Sequence, residues 1–135
     1  MKFFFNILSI CAISSSFGAF KVIGNDLDGV ICNAMKGMQA QEEKKIPYNI
    51  GDYELIAINV DCSKKALLTE KKHIQYSLSD FSDDFKINSI KNWKNSNCKN
   101  MIFNTDTGWS TTQIIKDVNK NVVLKLEANF EICSQ

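Results

Sequence analysis

The segment STTQIIKDVNKNVVLKLEANFEI, residues 110–132, decides the fold class, because it contains the clearest strand pattern in the chain. Apolar side chains alternate with polar ones through its second half, at Leu124, Leu126, Ala128, Phe130 and Ile132. A period of two is the spacing of a strand with one buried face. The Asp- and Asn-rich stretch DVNKN, residues 117–121, predicts a turn that joins this strand to residues 110–116 in a hairpin.

Two further strands are predicted in the first half of the chain. In residues 56–61, IAINVD, large apolar side chains alternate with small or polar ones, which is the strand period. A turn follows, and residues 66–78 predict the next strand. Because Glu70 and Lys72 interrupt its apolar alternation, we expect a bulge or an exposed end there.

Residues 27–38 have the period of a helix. Their apolar side chains fall on one helical face, at Leu27, Val30, Ile31, Ala34, Met35 and Met38. Asp28 suits the first turn, where a negative charge complements the helix dipole. The charged run at residues 41–45, shortly before Pro47, predicts where this helix ends.

A second helix is predicted after Ser82, since a serine followed by two acidic residues is a common helix start. Ile87, Ile90 and Trp93 fall on one side of it, and we expect that side to face the core. The polar run at residues 94–100 predicts its end.

The order helix, strand, strand, helix, strand, strand predicts a small single α+β domain. We expect a four-stranded antiparallel sheet with the helices packed on one face. The chain of 135 residues is too short for two domains or for a doubly wound α/β enzyme, and its 44% hydrophobic content is ordinary for a globular protein.

The N-terminus is typical of a secretory signal peptide. Lys2 precedes an apolar run that is too short for a comfortable membrane span, and Ser16 and Gly18 supply the small residues of a cleavage site. We therefore expect residues 1–18 to be removed and residues 19–135 to form the exported domain, with a membrane anchor as the alternative. The use of Lys without any Arg indicates an AT-rich bacterial genome, hence a periplasmic or secreted protein.

Removal of the signal peptide would also remove Cys11 and leave an even number of cysteines. These are Cys32, Cys62, Cys98 and Cys133. An even count in a small exported chain predicts two disulfides, and four cysteines allow three pairings that sequence alone does not decide. The predicted element order favours Cys32–Cys62 and Cys98–Cys133, because each pair would then join elements that run back along one another.

The charge balance argues against a nucleic-acid partner. Sixteen basic residues, all of them Lys, face fifteen acidic ones, and the Arg that suits phosphate and guanine contacts is missing. The cysteines are too far apart for a zinc site built from short ligand pairs, and His73 is the only histidine. We therefore expect no metal and no cofactor, and we expect His73 to lie on the surface.

Residues 22–30, VIGNDLDGV, resemble the first motif of the haloacid-dehalogenase-type phosphatases, a short apolar strand followed by Asp-x-Asp-Gly-Thr/Val. The resemblance implies that Asp26 is the nucleophile, that Asp28 is the general acid/base and that Mg²⁺ binds at the carboxylates. The same segment is also explained as the capped start of the first helix. We keep the magnesium-dependent phosphatase as the alternative function.

Two shorter motifs have simpler interpretations. Asp106-Thr107-Gly108 resembles the active-site triplet of retropepsin-like aspartic proteases, but its polar neighbours are typical of a loop. Residues 117–121 begin like a calcium loop, yet Ala128 stands where the bidentate Glu is required. We interpret them as a loop and a hairpin turn.

With no converging catalytic set, the sequence favours a small exported, non-enzymatic binding protein that acts through contact with another protein. An inhibitor, an immunity-type protector or an envelope accessory protein would fit. Trp109 stands among small polar residues in a predicted loop, and a large aromatic in that setting is a candidate binding anchor.

Overall fold

The computed structural model of the protein describes residues 27–135, so the predicted signal peptide and Asp26 lie outside it. In the described part the helices are α1 (Leu27–Glu43), α2 (Asp83–Asn97), α3 (Met101–Asn104) and α4 (Phe130–Cys133), with a 3-10 turn at Leu78–Asp80. The strands are β1 (Tyr48–Ile50), β2 (Tyr53–Asp61), β3 (Ala66–His73), β4 (Ser110–Lys116) and β5 (Val122–Ala128).

The strands form one mixed sheet in the order β1-β2-β3-β4-β5. All neighbours are antiparallel except β3 and β4, which are parallel. The α+β class is confirmed, but the four-stranded antiparallel sheet is wrong. A short strand, Tyr48–Ile50, was missed, and α2 carries the chain back between β3 and β4, so that both strands start at the same end of the sheet.

Both long helices pack on one face of this sheet. The α1 side chains Ile31 and Met35 contact a cluster that includes Ile58, Val60, Leu67, Phe103 and Trp109. The α2 side chain Trp93 belongs to a second cluster with Ile115, Leu126 and Ala128. The strand register joins Val60, Leu67, Thr111 and Ala128 in one row across the sheet, so the two clusters share a face. We call it the helix-covered face.

The buried side of α2 differs from the expected one. Ser82 caps the helix as predicted, because its hydroxyl accepts the N–H of Phe85 at 3.0 Å. Trp93 is buried, but Ile87 and Ile90 are 63% and 50% exposed. A helix turns by 100° per residue, so the side that faces the sheet instead continues from Trp93 to the buried Asn97, one turn later.

Two strands end earlier than their patterns predict. β3 stops at His73, where Nδ1 of the imidazole accepts the N–H groups of Gln75 and Tyr76 and so turns the chain. β5 stops at Ala128, because the Asn129 side chain accepts the N–H of Ile132 and caps a short helix instead. Side chain to backbone hydrogen bonds of this kind compete with the ladder of a sheet.

The structure joins Cys32 to Cys62 and Cys98 to Cys133, the pairing that the element order favoured. The first bond ties the second turn of α1 to the residue that follows β2. The second bond ties the end of α2 to α4. The first bond therefore holds α1 to the sheet, and the second holds the end of α2 to the short helix that follows β5.

Candidate interaction surface

Trp109 is a core residue and not a surface anchor. Its side chain is 1% exposed and packs with Ile31 and Met35 of α1. Its backbone N–H donates to the hydroxyl of Thr107 at 3.1 Å, which directs the indole inward from the loop. The prediction of a binding anchor at Trp109 is wrong, because its polar neighbours in the sequence face solvent while the indole itself does not.

Asp28 and the loop of residues 105–108 meet at one end of the molecule. The Lys65 ammonium lies 2.9 Å from Asp28 Oδ2 and donates to the Thr107 carbonyl at 3.4 Å. Gly108, at φ +82°, lies against the same lysine, and a Cβ there would come within 3.3 Å of the Lys65 side chain. The Asp28 carboxylate therefore already has a cationic partner. Asp26 lies outside the described residues, so the phosphatase alternative stays a prediction.

The Asp117 carboxylate is used by its own hairpin turn. Oδ1 accepts the N–H groups of Asn119 at 2.9 Å and Asn121 at 2.7 Å, and Oδ2 accepts Nδ2 of Asn121 at 3.1 Å. Burial opposes ionisation of this carboxyl, but the hydrogen bonds together outweigh it and lower the pKa of Asp117. The residues that resembled the start of a calcium loop thus close the turn between β4 and β5.

His73 is buried, which contradicts the expectation of a surface residue. It is 4% exposed and stacks on Tyr76 with ring centroids 4.0 Å apart. Tyr53 and Phe81 approach its ring edge-on, at 5.0 and 5.7 Å. This aromatic cluster covers the end of β3, and the charged neighbours of His73 in the sequence gave no indication of it.

Lys71 is a second residue whose environment the sequence did not reveal. It lies on the helix-covered face between Leu55 of β2 and Ile115 of β4, both buried. Its ammonium sits 4.3 Å from the centroid of the Tyr53 ring. Burial lowers the pKa of Lys71 from 10.5 to about 8 and, with the nearby Asp52 carboxylate and Tyr76, raises the pKa of Tyr53 to about 12.

The opposite side of the sheet, which we call the open face, carries neither of the long helices. Its centre consists of half-buried small and apolar side chains, namely Ala57, Ala66, Leu68, Thr112 and Ile114. Ion pairs border these side chains on two sides, with Lys72–Glu54 at 3.7 Å and Lys116–Glu70 at 3.4 Å at one end and Lys125–Glu127 at 3.1 Å along β5. Glu70 itself lies between Ala57 and Ile114. An apolar centre inside a polar rim is the arrangement found at protein interfaces.

The described residues hold no group of three or more His, Cys, Asp or Glu side chains arranged for a metal ion. Within residues 27–135, none of the helices has the length and apolar character needed to cross a bilayer.

Comparison of the chain with known protein families, with curated proteins and with solved structures finds no match.

Proposed function

We propose that the protein is a small exported, non-enzymatic binding protein that contacts another protein through the open face of its sheet. An inhibitor, an immunity-type protector or an envelope accessory protein fits this description. The observation that carries the proposal is the one-sided sheet: both long helices pack on one face, while the other presents the half-buried Leu68, Thr112 and Ile114 beside three ion pairs. Apolar side chains that no helix covers, bordered by charged pairs, are a common feature of protein interaction sites.

The charges on this face favour a protein partner over a nucleic acid. Lys72, Lys116 and Lys125 each have a glutamate partner within 4 Å. A nucleic-acid site needs a stripe of unpaired basic groups that can neutralise phosphates. A surface of alternating signs instead suits a partner whose own charges are mixed, because complementary pairs then fix the orientation of the complex.

The disulfides support both the export and the rigidity that such a role needs. Bonds of this kind persist in oxidising compartments, which suits the periplasm or the medium. The Cys32–Cys62 bond fixes α1 to the end of β2, and the Cys98–Cys133 bond fixes the end of α2. A preformed surface loses little conformational entropy on binding, so a sheet held in this way is a favourable platform.

The proposal is tested with protein purified from the periplasm or the medium of the producing cells. Chemical crosslinking in those cells identifies the partner, and binding is then measured with the two purified proteins. Ile114→Asp places a charge at the centre of the open face and should weaken binding at least about tenfold, as expected for a residue at the centre of an interface. Thr112→Glu offers a second substitution on the same face.

Ile87→Asp is the matched control, because Ile87 is 63% exposed on α2 and α2 lies on the other side of the sheet. Circular dichroism and thermal unfolding show whether each variant keeps its fold. A partner that binds both open-face variants as tightly as the wild type, with folded protein in each case, would contradict the proposal.

A further inference from the structure

β5 leaves one edge of the sheet open. On one side it pairs with β4, and on the other side no strand follows in the described part of the chain. The Ser110 N–H donates to the backbone carbonyl of Lys65, which precedes β3. The backbone groups of the even-numbered residues of β4 therefore point to β3, and those of the odd-numbered residues point to β5. Leu124, Leu126 and Ala128 are the partners of those odd-numbered residues. The backbone groups of Lys125 and Glu127 therefore point outward.

At the opposite edge of the sheet, other parts of the chain pair with backbone groups of β2. β1 covers the first part of β2, and farther along the Gln39 side chain accepts the N–H of Val60 at 2.8 Å. No comparable contact reaches the outward N–H groups of Lys125 and Glu127 among the hydrogen bonds of residues 27–135. An unpaired edge of this kind is a template for another strand.

The side chains of β5 fit a second copy of the same strand. In an antiparallel pair related by a two-fold axis at Leu126, Lys125 of each copy lies opposite Glu127 of the other. The backbone parity agrees with this register, since Lys125 and Glu127 are the residues whose N–H and C=O groups point outward. We propose that the protein forms a symmetric dimer by antiparallel β5–β5 pairing centred on Leu126, with two reciprocal Lys125–Glu127 contacts.

Charge selects this register over its neighbour. Shifting the axis to Lys125 would place that lysine directly opposite its own copy, which destabilises a strand pair. A two-fold interface uses the same patch on both chains, and β5 meets that condition with opposite charges two residues apart.

Charge reversal tests the dimer. Wild-type protein should elute as a dimer in size-exclusion chromatography with light scattering, in a concentration-dependent manner. Lys125→Glu turns both facing pairs repulsive and should raise the dimer dissociation constant about tenfold or more. The double variant Lys125→Glu/Glu127→Lys restores opposite charges and should return the constant to near the wild-type value. Lys91→Glu, on the exposed side of α2, is the matched control and should change nothing.

A second measurement needs no variant. Hydrogen exchange should protect the Lys125 and Glu127 amides increasingly as the protein concentration rises, while the Leu124 and Leu126 amides, which bond to β4, stay protected throughout. A wild-type protein that is monomeric at millimolar concentration, or a dimer that Lys125→Glu leaves unchanged, would overturn the proposal. A dimer that the double variant fails to restore would overturn the register. None of these results bears on binding at Ile114, so the two proposals fail independently.

Discussion

Replacing Lys71 by Met should stabilise the protein at neutral pH and flatten the pH dependence of its stability. Lys71 lies between Leu55 and Ile115 in the register of the helix-covered face, and its ammonium is 4.3 Å from the centroid of the Tyr53 ring. Among the described residues no carboxylate lies within ion-pair distance of it. Burial lowers its pKa from 10.5 to about 8, so the charged form is less stable in the fold than in water.

The magnitude follows from proton linkage. The folded protein releases this proton at a lower pH than the unfolded chain, so the free energy of unfolding rises with pH between about 8 and 10.5. The shift corresponds to at most about 3 kcal/mol of destabilisation below pH 7, of which about 2 kcal/mol is recovered by pH 9.5. Because Lys71→Met also loses a cation–π contact of about 0.5–2 kcal/mol, we expect a net gain of about 1–2 kcal/mol at pH 7.

The assay is urea unfolding with the disulfides intact, at about pH 7 and about pH 9.5. The pKa of Tyr53 is raised to about 12, so its phenol stays protonated in the folded protein over this range. Lys72→Met is the matched control. Lys72 is the next residue along β3 and points to the open face, where its ion pair with Glu54 is worth less than about 1 kcal/mol. If the wild type and Lys71→Met gain or lose stability in parallel between the two pH values, the ammonium is solvated and the reasoning fails.

Three further results are expected. Trp109→Ala should lower the free energy of unfolding by about 3–5 kcal/mol in the same urea assay, because it empties a fully buried site. A change below about 1 kcal/mol would mean that the indole is not buried. Cys98→Ser with Cys133→Ser should cost about 2–4 kcal/mol and loosen α4, measured by hydrogen exchange of its amides against those of β2. Purified protein should show no Mg²⁺-dependent hydrolysis of p-nitrophenyl phosphate; activity that Asp28→Asn abolishes would support the phosphatase alternative.

The elements that sequence predicted well are those whose pattern is local. The helical period of α1 places Ile31 and Met35 in the core, and the alternation in β5 buries Leu126 and Ala128. The parallel pairing of β3 and β4 could not be predicted in this way, because it depends on where α2 returns the chain. The same limit explains Trp109: its neighbours are polar, and only the packing of α1 over the loop shows which side of the loop is interior.

Lys71 and His73 show the same limit at the level of single side chains. Alternation along β3 gives the two faces of a strand, but the sequence Glu70-Lys71-Lys72-His73 does not show which face the helices cover. The register across the sheet decides it, since Lys71 lies in line with the buried Leu55 and Ile115. A charged residue in a strand is thus exposed or buried according to partners distant in sequence, and composition alone assigns it to the surface.

The open face and the β5 edge can be tested separately because they use different parts of the same sheet. The face is formed by side chains of the central strands, such as Leu68 and Ile114, and the edge is formed by backbone groups of the last strand. Lys125 and Glu127 take part in both, since their side chains lie on the open face while their backbone groups point outward. A dimer through β5 would therefore continue the open face across the two-fold axis, and one partner could then contact both copies. In that case Lys125→Glu would weaken partner binding through loss of the second copy and through the changed charge on the open face, whereas Ile114→Asp would weaken it without changing the dimer.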